Sequence, residues 1–318
     1  MQKIAIAGYG TVGGGVAEIL RRNAAKIAES AGEPVELKYI LVRRDFHGDP
    51  FEKEMVRDFS VIESDPEVTI LVETIGGCGA ALEYCTRALK AGKSVVTANK
   101  QLVAEHGAAL MELAREYGAG FLFEASVAGG IPVLHPLSRC LGANALEEVS
   151  GILNGTTNYI LTQMLENGQS YDAALREAQR LGYAEADPAA DVEGLDAGRK
   201  ICILAGLAFG KNVAPDRISV EGITKITALD AAFAAAGGMK LRLLGRAEPA
   251  RLAPFEDFKA RWFVRTKERR GAVEERLGAV RWLPAQMGWQ GGFTEKLPRR
   301  ALSESGLRLE AVFPVREL

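Results

Sequence analysis

Between residues 181 and 200 the chain reads LGYAEADPAADVEGLDAGRK, which sets Glu185, Asp187, Asp191, Glu193 and Asp196 around one lysine, Lys200. Asp196 and Lys200 are four residues apart, so on a helix they share a face. A solvated pair at that spacing is worth only ~0.3–0.5 kcal/mol and does no chemistry. Lys200, however, leads straight into Ile201, Ile203 and Leu204, and the acids crowd a loop that a helix start would hold rigid. A half-buried ammonium beside carboxylates is a candidate acid–base group. Pro188 stops any earlier helix, and Asp191 is placed to cap one beginning at Val192.

A second constellation stands near the start of the chain. In GYGTVGGG, Gly8, Gly10 and Gly13 keep the G-x-G-x-x-G register, behind an apolar run over 3–7 and ahead of Val12, Val16, Ile19 and Leu20 at helical spacing. Strand, glycine turn and helix in that order suit a dinucleotide: the turn is tight, the backbone approaches the pyrophosphate, and the helix amides face it. A purely structural glycine turn is the alternative. Thr11 and Val12 join the candidate cofactor contacts. The next strand, over 35–42, runs into Arg43 and Arg44, with Asp45 behind them. NAD-selective sites usually place an acid there for the ribose hydroxyl, whereas Arg43 suits a 2′-phosphate, so NADP is expected over NAD. Thr74 follows a buried strand over 68–73, at the sheet edge where ligands sit. Lys100 follows a strand over 94–97; a cation there could stabilise an oxyanion, or be a plain surface charge.

The elements that must position these groups alternate. With helices over 80–91 and 102–117 and a strand over 120–125, residues 1–125 predict an α/β, Rossmann-type doubly wound parallel sheet. Gly129, Gly130 and Pro132 mark a turn into a helix over 133–141. A strand over 146–153, a helix capped at Asn154 and ending at Leu165, and a helix over 171–181 stopped by Gly182 come next. A strand over 218–226, an Ala-rich helix from Ala228 and a strand over 239–244 complete an α+β substrate and dimerisation domain over 126–253. Gly182 is also counted as a cofactor contact. The tail, 254–318, reads strand 261–267, helix 272–277, strands 280–284 and 291–294, helix 299–305 and strand 307–315. That βαββαβ order is ferredoxin-like and resembles a small ACT-type domain, marginal unless it pairs or docks.

Two stretches carry a more specific resemblance. GYAEADPAADVEGLDAGRK, and GILNGTTNYIL over 151–161, resemble the signature segments of the homoserine dehydrogenases, and TANK over 97–100 matches as well. The likeness runs from Lys3 to about Ala247. It implies an NADP-dependent dehydrogenase that reversibly reduces L-aspartate 4-semialdehyde to L-homoserine, in threonine and methionine biosynthesis. It places Glu185 on the substrate's amino group, makes Asp191 and Asp196 the acids that orient substrate and lysine, and makes Lys200 the proton donor. Lys100 would lie between nicotinamide and substrate. A monovalent cation such as sodium is implied at Glu124, Val127, Gly129 and Ile131; by its residues alone that loop reads as a hinge between domains. After Gly245 the family's β-rich return and glycine-rich turn are missing, which keeps open an idle nucleotide sensor or a reductase of another small amino-acid semialdehyde.

Composition narrows the partners. A net charge of −2 gives no reason to expect nucleic acid or an anionic membrane. Cys78, Cys85, Cys140 and Cys202 lack metal-ligand spacing and read as reduced thiols, and His47, His106 and His135 as structural. No apolar run is long enough for a membrane span, and the chain enters a strand at once without a basic leader. The expectation is a cytoplasmic enzyme with a small-molecule substrate, working as a homodimer or higher homo-oligomer.

Overall fold

The computed structural model describes residues 1–249, together with the backbone of Val264 and Arg265. It divides into two compact units. The first comprises Met1–Glu147 and Cys202–Arg217; the second holds Glu148–Ile201 and the chain from Ile218 onward.

In the first unit, β1 (Gln2–Ala7), β2 (Val35–Leu41), β3 (Met55–Val56), β4 (Val68–Glu73), β5 (Ser94–Thr97) and β6 (Phe121–Leu122) form one sheet in the order β3-β2-β1-β4-β5-β6. Every pairing is parallel, as in a doubly wound dinucleotide-binding sheet whose strand order reverses beside β1. Its helices are α1 (Thr11–Arg22), α2 (Ala24–Ala31), α3 (Phe59–Ser64), α4 (Gly79–Lys90) and α5 (Lys100–Glu116). Ile4, Ile6, Ala17, Ile40, Val42 and Val72 build the core under α1. That helix buries Gly13 and Ala17, while Val12 and Ile19 are exposed. Of the four spaced apolar residues, Val16 and Leu20 pack against this core, beside the small residues Gly13 and Ala17 that let the helix lie close to the sheet. The strand expected over 120–125 ends at Leu122, because Glu124–Ser126 turns into a 3-10 helix. The expected helix over 133–141 is a short helical turn whose main part, Pro136–Cys140, is a π-helix. The unit continues past residue 125 to Glu147, since the Glu124 carboxylate fastens this later segment to the end of β6.

The second unit contains β7 (Val149–Gly151), α6 (Gly155–Asn167), α7 (Tyr171–Arg180), α8 (Ala189–Val192), the start of α9 (Leu195–Phe209), α10 (Ala228–Ala236), β8 (Met239–Lys240) and β9 (Gly245–Ala247). β7 pairs with β9 antiparallel. Ile160, Leu161, Met164, Ile223, Leu241 and Leu243 are fully or nearly fully buried at its centre. The strand expected over 218–226 does not form: the segment is irregular, and Gly222 presses backbone to backbone on Val192 and Glu193. Of the expected tail, only β10 (Val264–Arg265) falls among the described residues, antiparallel to β8. The remainder of the ACT-like reading lies outside them.

Candidate active site

In the second unit the site begins at a helix cap. Asn154 is the N-cap of α6, and its side-chain oxygen accepts from the Thr157 amide at 2.9 Å. The same side chain turns its amide outward: Nδ2 donates to Asp191 Oδ1 at 2.6 Å and to Asp196 Oδ2 at 2.9 Å. One amide thus holds two carboxylates, and Asp196 is only 2% exposed. Asp196 Oδ2 also accepts from Lys200 Nζ at 2.7 Å, as their i,i+4 spacing on α9 requires. A second hydrogen bond from Lys200 Nζ goes to the Leu153 carbonyl, also at 2.7 Å. Two of three ammonium hydrogens are therefore engaged at the base of the cluster, and one remains for a ligand oxygen.

The loop carrying the acids is built from short-range devices. Gly182, at φ +77°, closes α7, and Gly194, at φ +81°, breaks the chain between α8 and α9. Both conformations favour glycine. Asp187 accepts from the Ala189 amide at 3.1 Å to open α8. Asp191 consequently lies inside α8, whose N-cap position belongs to Pro188. The expected continuous helix from Val192, capped by Asp191, is corrected to two helices because Gly194 supplies the turn. This frees the Asp191 carboxylate to meet Asn154. Thr156 Oγ1 donates to the Tyr183 carbonyl at 2.6 Å, tying the start of α6 to the same loop. Glu185 is exposed, and its carboxylate joins none of these bonds; its carbonyl accepts from Gln179 at 3.1 Å.

The first unit carries the glycine turn. Gly8 sits at φ +101°, and a Cβ on Gly13 would lie 2.1 Å from the Gly8 carbonyl oxygen, so neither position admits a side chain without distortion. Around Gly10 nothing lies within 4 Å of where a Cβ would be, and α1 starts there without a side-chain cap, with Thr11 and Val12 exposed. Open backbone at an uncapped helix start fits a pyrophosphate. Thr74 donates its hydroxyl to Gly8 O at 3.0 Å and Ala7 O at 3.2 Å, bracing the turn from behind. After β2, Arg43 and Arg44 are both exposed. Asp45 is ion-paired with Arg57, whose guanidinium, as hydrogen-bond partner first, holds the Asp45 carboxyl below its usual range.

Lys100 is the first residue of α5 and half-buried; its neighbour Asn99 caps the helix through Leu102 N at 3.1 Å. Asn99 also donates to the Gly77 carbonyl at 2.6 Å. Behind it, the fully buried Glu73 accepts from Thr97 Oγ1 at 2.5 Å and from the Ile75 amide at 2.7 Å. This Glu73–Thr97–Asn99 chain sets the edge on which Lys100 stands. Sequence reasoning missed it, although a glutamate closing the apolar run VTILVE was a visible signal.

Glu124 accepts from the Val133 amide (2.7 Å), the Leu134 amide (2.9 Å) and the His135 amide (2.7 Å). Burial alone would raise its carboxyl, but the three amides bring it below the ordinary value. Val127 is buried, Ala128 takes φ +61°, Gly129 φ +57°, and Ile131 is 69% exposed. The Glu124 carboxylate thus caps the helical turn that follows it.

No helix among the described residues is long and apolar enough to cross a membrane.

Residues 8–124 match the family model for the homoserine dehydrogenase NAD-binding domain, and residues 132–276 that for homoserine dehydrogenase. A homoserine dehydrogenase of Pseudomonas aeruginosa is 45% identical over 244 residues, covering 76% of this chain and 56% of the relative. The chain thus spans a little over half the length of that relative. A crystal structure of an S. aureus homoserine dehydrogenase at pH 8.5 is 30% identical with a TM-score of 0.72, covering 94% of this chain and 79% of its own. A hyperthermophilic archaeal homoserine dehydrogenase in complex with NADPH is 26% identical with a TM-score of 0.66, covering 85% and 83%. Sheet order, glycine turn and these matches agree: the chain belongs to the homoserine dehydrogenase family.

Proposed function

We propose that the chain catalyses the reversible conversion of L-aspartate 4-semialdehyde to L-homoserine with NADPH as the preferred cofactor. The observation that carries the reading is Lys200, its ammonium fixed by Asp196 and the Leu153 carbonyl with one hydrogen left to give. A nicotinamide cofactor, when bound, supplies the hydride to the carbonyl carbon or takes it back. As negative charge grows on the carbonyl oxygen, Lys200 donates a proton to it; in reverse it withdraws one. General acid help of this kind is worth ~10²–10⁴-fold. Asp196 and Asn154 orient the ammonium, Asp191 and Glu185 receive the substrate's amino group, and Lys100 stabilises the developing oxyanion.

Gly8, Gly10, Thr11, Val12 and Gly13 would hold the cofactor's pyrophosphate, with Thr74 bracing them. Gly182, which closes α7, would be a further cofactor contact. Arg43 would take the 2′-phosphate, while Asp45 is drawn aside by its ion pair with Arg57. A monovalent cation at the 124–131 loop would depend on the carbonyls of Glu124, Val127, Gly129 and Ile131. Exposed Ile152 and Leu229 support self-association through the second unit.

Mixing purified protein, NADPH and aspartate semialdehyde tests the reading. Loss of NADPH absorbance is expected; no loss, or loss only with other aldehydes, overturns it.

A further inference from the structure

Cys78, Glu105 and His106 take no part in the chemistry above, yet each presents a metal-binding atom. Sγ, a carboxylate oxygen and an imidazole nitrogen all lie within 4.8 Å of one another. The residues were read separately in the sequence, Cys78 as a plain thiol and His106 as structural. The fold brings them together. Cys78 occupies the N-cap of α4 but does not cap it with its side chain; its Sγ reaches over to α5 and donates to Glu105 Oε2 at 3.2 Å. His106 is the next residue along α5 and half-buried. The loop bearing Cys78 is pinned to the start of α5 by the 2.6 Å bond from Asn99 to Gly77, and α4 packs along α5. The donors are therefore presented by two mutually packed helices and a tethered loop.

We propose that Cys78, Glu105 and His106 form a site for a zinc-class divalent cation, clipping the loop between β4 and α4 onto α5. The donor set decides the metal class. A thiolate with an imidazole and one carboxylate suits zinc and similar borderline ions, whereas magnesium and calcium prefer oxygen alone. Three protein ligands leave a fourth position for water. Binding forms an Sγ–metal bond, the thiol proton passes to solvent, and nothing is oxidised or reduced. Affinity must therefore fall as the medium becomes more acidic. The clip would stiffen the segment that joins Thr74, at the back of the glycine turn, to the helix that begins with Lys100.

Cobalt(II) serves as the probe, because a thiolate ligand gives it an intense near-ultraviolet charge-transfer band. Chelator-treated full-length protein titrated with cobalt should show that band saturating at one equivalent, and zinc should abolish it by competition. Cys78→Ser should remove the band, while Cys140→Ser, which alters an exposed thiol elsewhere, should keep it. His106→Gln should retain the band but weaken zinc binding by on the order of 100-fold or more, since even outer-shell changes cost ~10–100-fold. Circular dichroism of each variant checks that it is folded. A band that survives Cys78→Ser, a folded wild type without the band at one equivalent, or a His106→Gln affinity equal to wild type overturns the proposal.

Discussion

Replacing Asn154 by serine separates two jobs that one side chain performs. Serine caps a helix about as well as asparagine, so the acceptor for the Thr157 amide is retained. What it lacks is an amide able to donate to Asp191 and Asp196 together. Hydrogen bonds to charged groups are worth ~1.5–3 kcal/mol each, so even the lower figure withdraws ~3 kcal/mol from the cluster. Asp196 is almost fully buried and has little water to fall back on, and it is the carboxylate that steers Lys200. If that loss is felt in the transition state, ~3 kcal/mol corresponds to about a hundredfold fall in kcat/KM. The assay is steady-state oxidation of homoserine, with NADPH affinity measured separately by fluorescence; the affinity should not move, since the glycine turn belongs to the other unit. A folded Asn154→Ser enzyme with kcat/KM within about threefold of wild type, under ~0.7 kcal/mol, would show that Asn154 only caps α6.

Lys200→Ala should lower kcat by ~10²–10⁴-fold while sparing NADPH binding, and retained turnover within about tenfold would remove its role as proton donor. Gly13→Ala should destabilise the first unit by ~1–3 kcal/mol in chemical denaturation, because its Cβ meets the Gly8 carbonyl, and should weaken NADPH binding. Gly10→Ala, in open space, should leave stability within ~0.5 kcal/mol yet still raise the cofactor KM, and an unchanged KM would argue against a pyrophosphate there. Arg43→Ala should shift the ratio of the NADPH and NADH KM values toward NADH; a constant ratio would refute the 2′-phosphate contact. Glu124 has a folded pKa below its unfolded one, so its contribution is complete above the unfolded value of ~4.3 and is lost as pH falls through the lower folded value. The stability gap between wild type and Glu124→Gln, followed by urea denaturation, should be widest near neutrality and close in acid; a gap independent of pH would exclude the amide cap.

What could be read from the chain and what could not divides by distance along it. β4 and β5 were visible as apolar runs because a strand buried on both faces needs no partner to be recognised. The Asp196–Lys200 pair was visible because helical spacing brings it together within one turn. Asn154 was read as a cap, a local property, but its grip on acids 37 and 42 residues away depends on tertiary packing. Glu73 with Thr97, and Cys78 with Glu105, are likewise joined only by folding. The break at Gly194 escaped notice for another reason: Val192 before it and Leu195 after it carry the helical pattern across, and a glycine in such a pattern reveals its positive φ only when the backbone is seen.

The contact of Gly222 with the acidic loop has a dynamic consequence. A Cβ at Gly222 would lie 2.5 Å from both the Glu193 Cα and the Val192 carbonyl oxygen, and that same oxygen accepts from the Ile223 amide at 2.6 Å. The loop bearing Asp191 therefore cannot swing outward alone; the strap running through residues 218–223 must travel with it or let go. The Ile223 amide proton becomes a natural gauge of that event. Its exchange with heavy water should slow if homoserine, once added, holds the loop and the strap together.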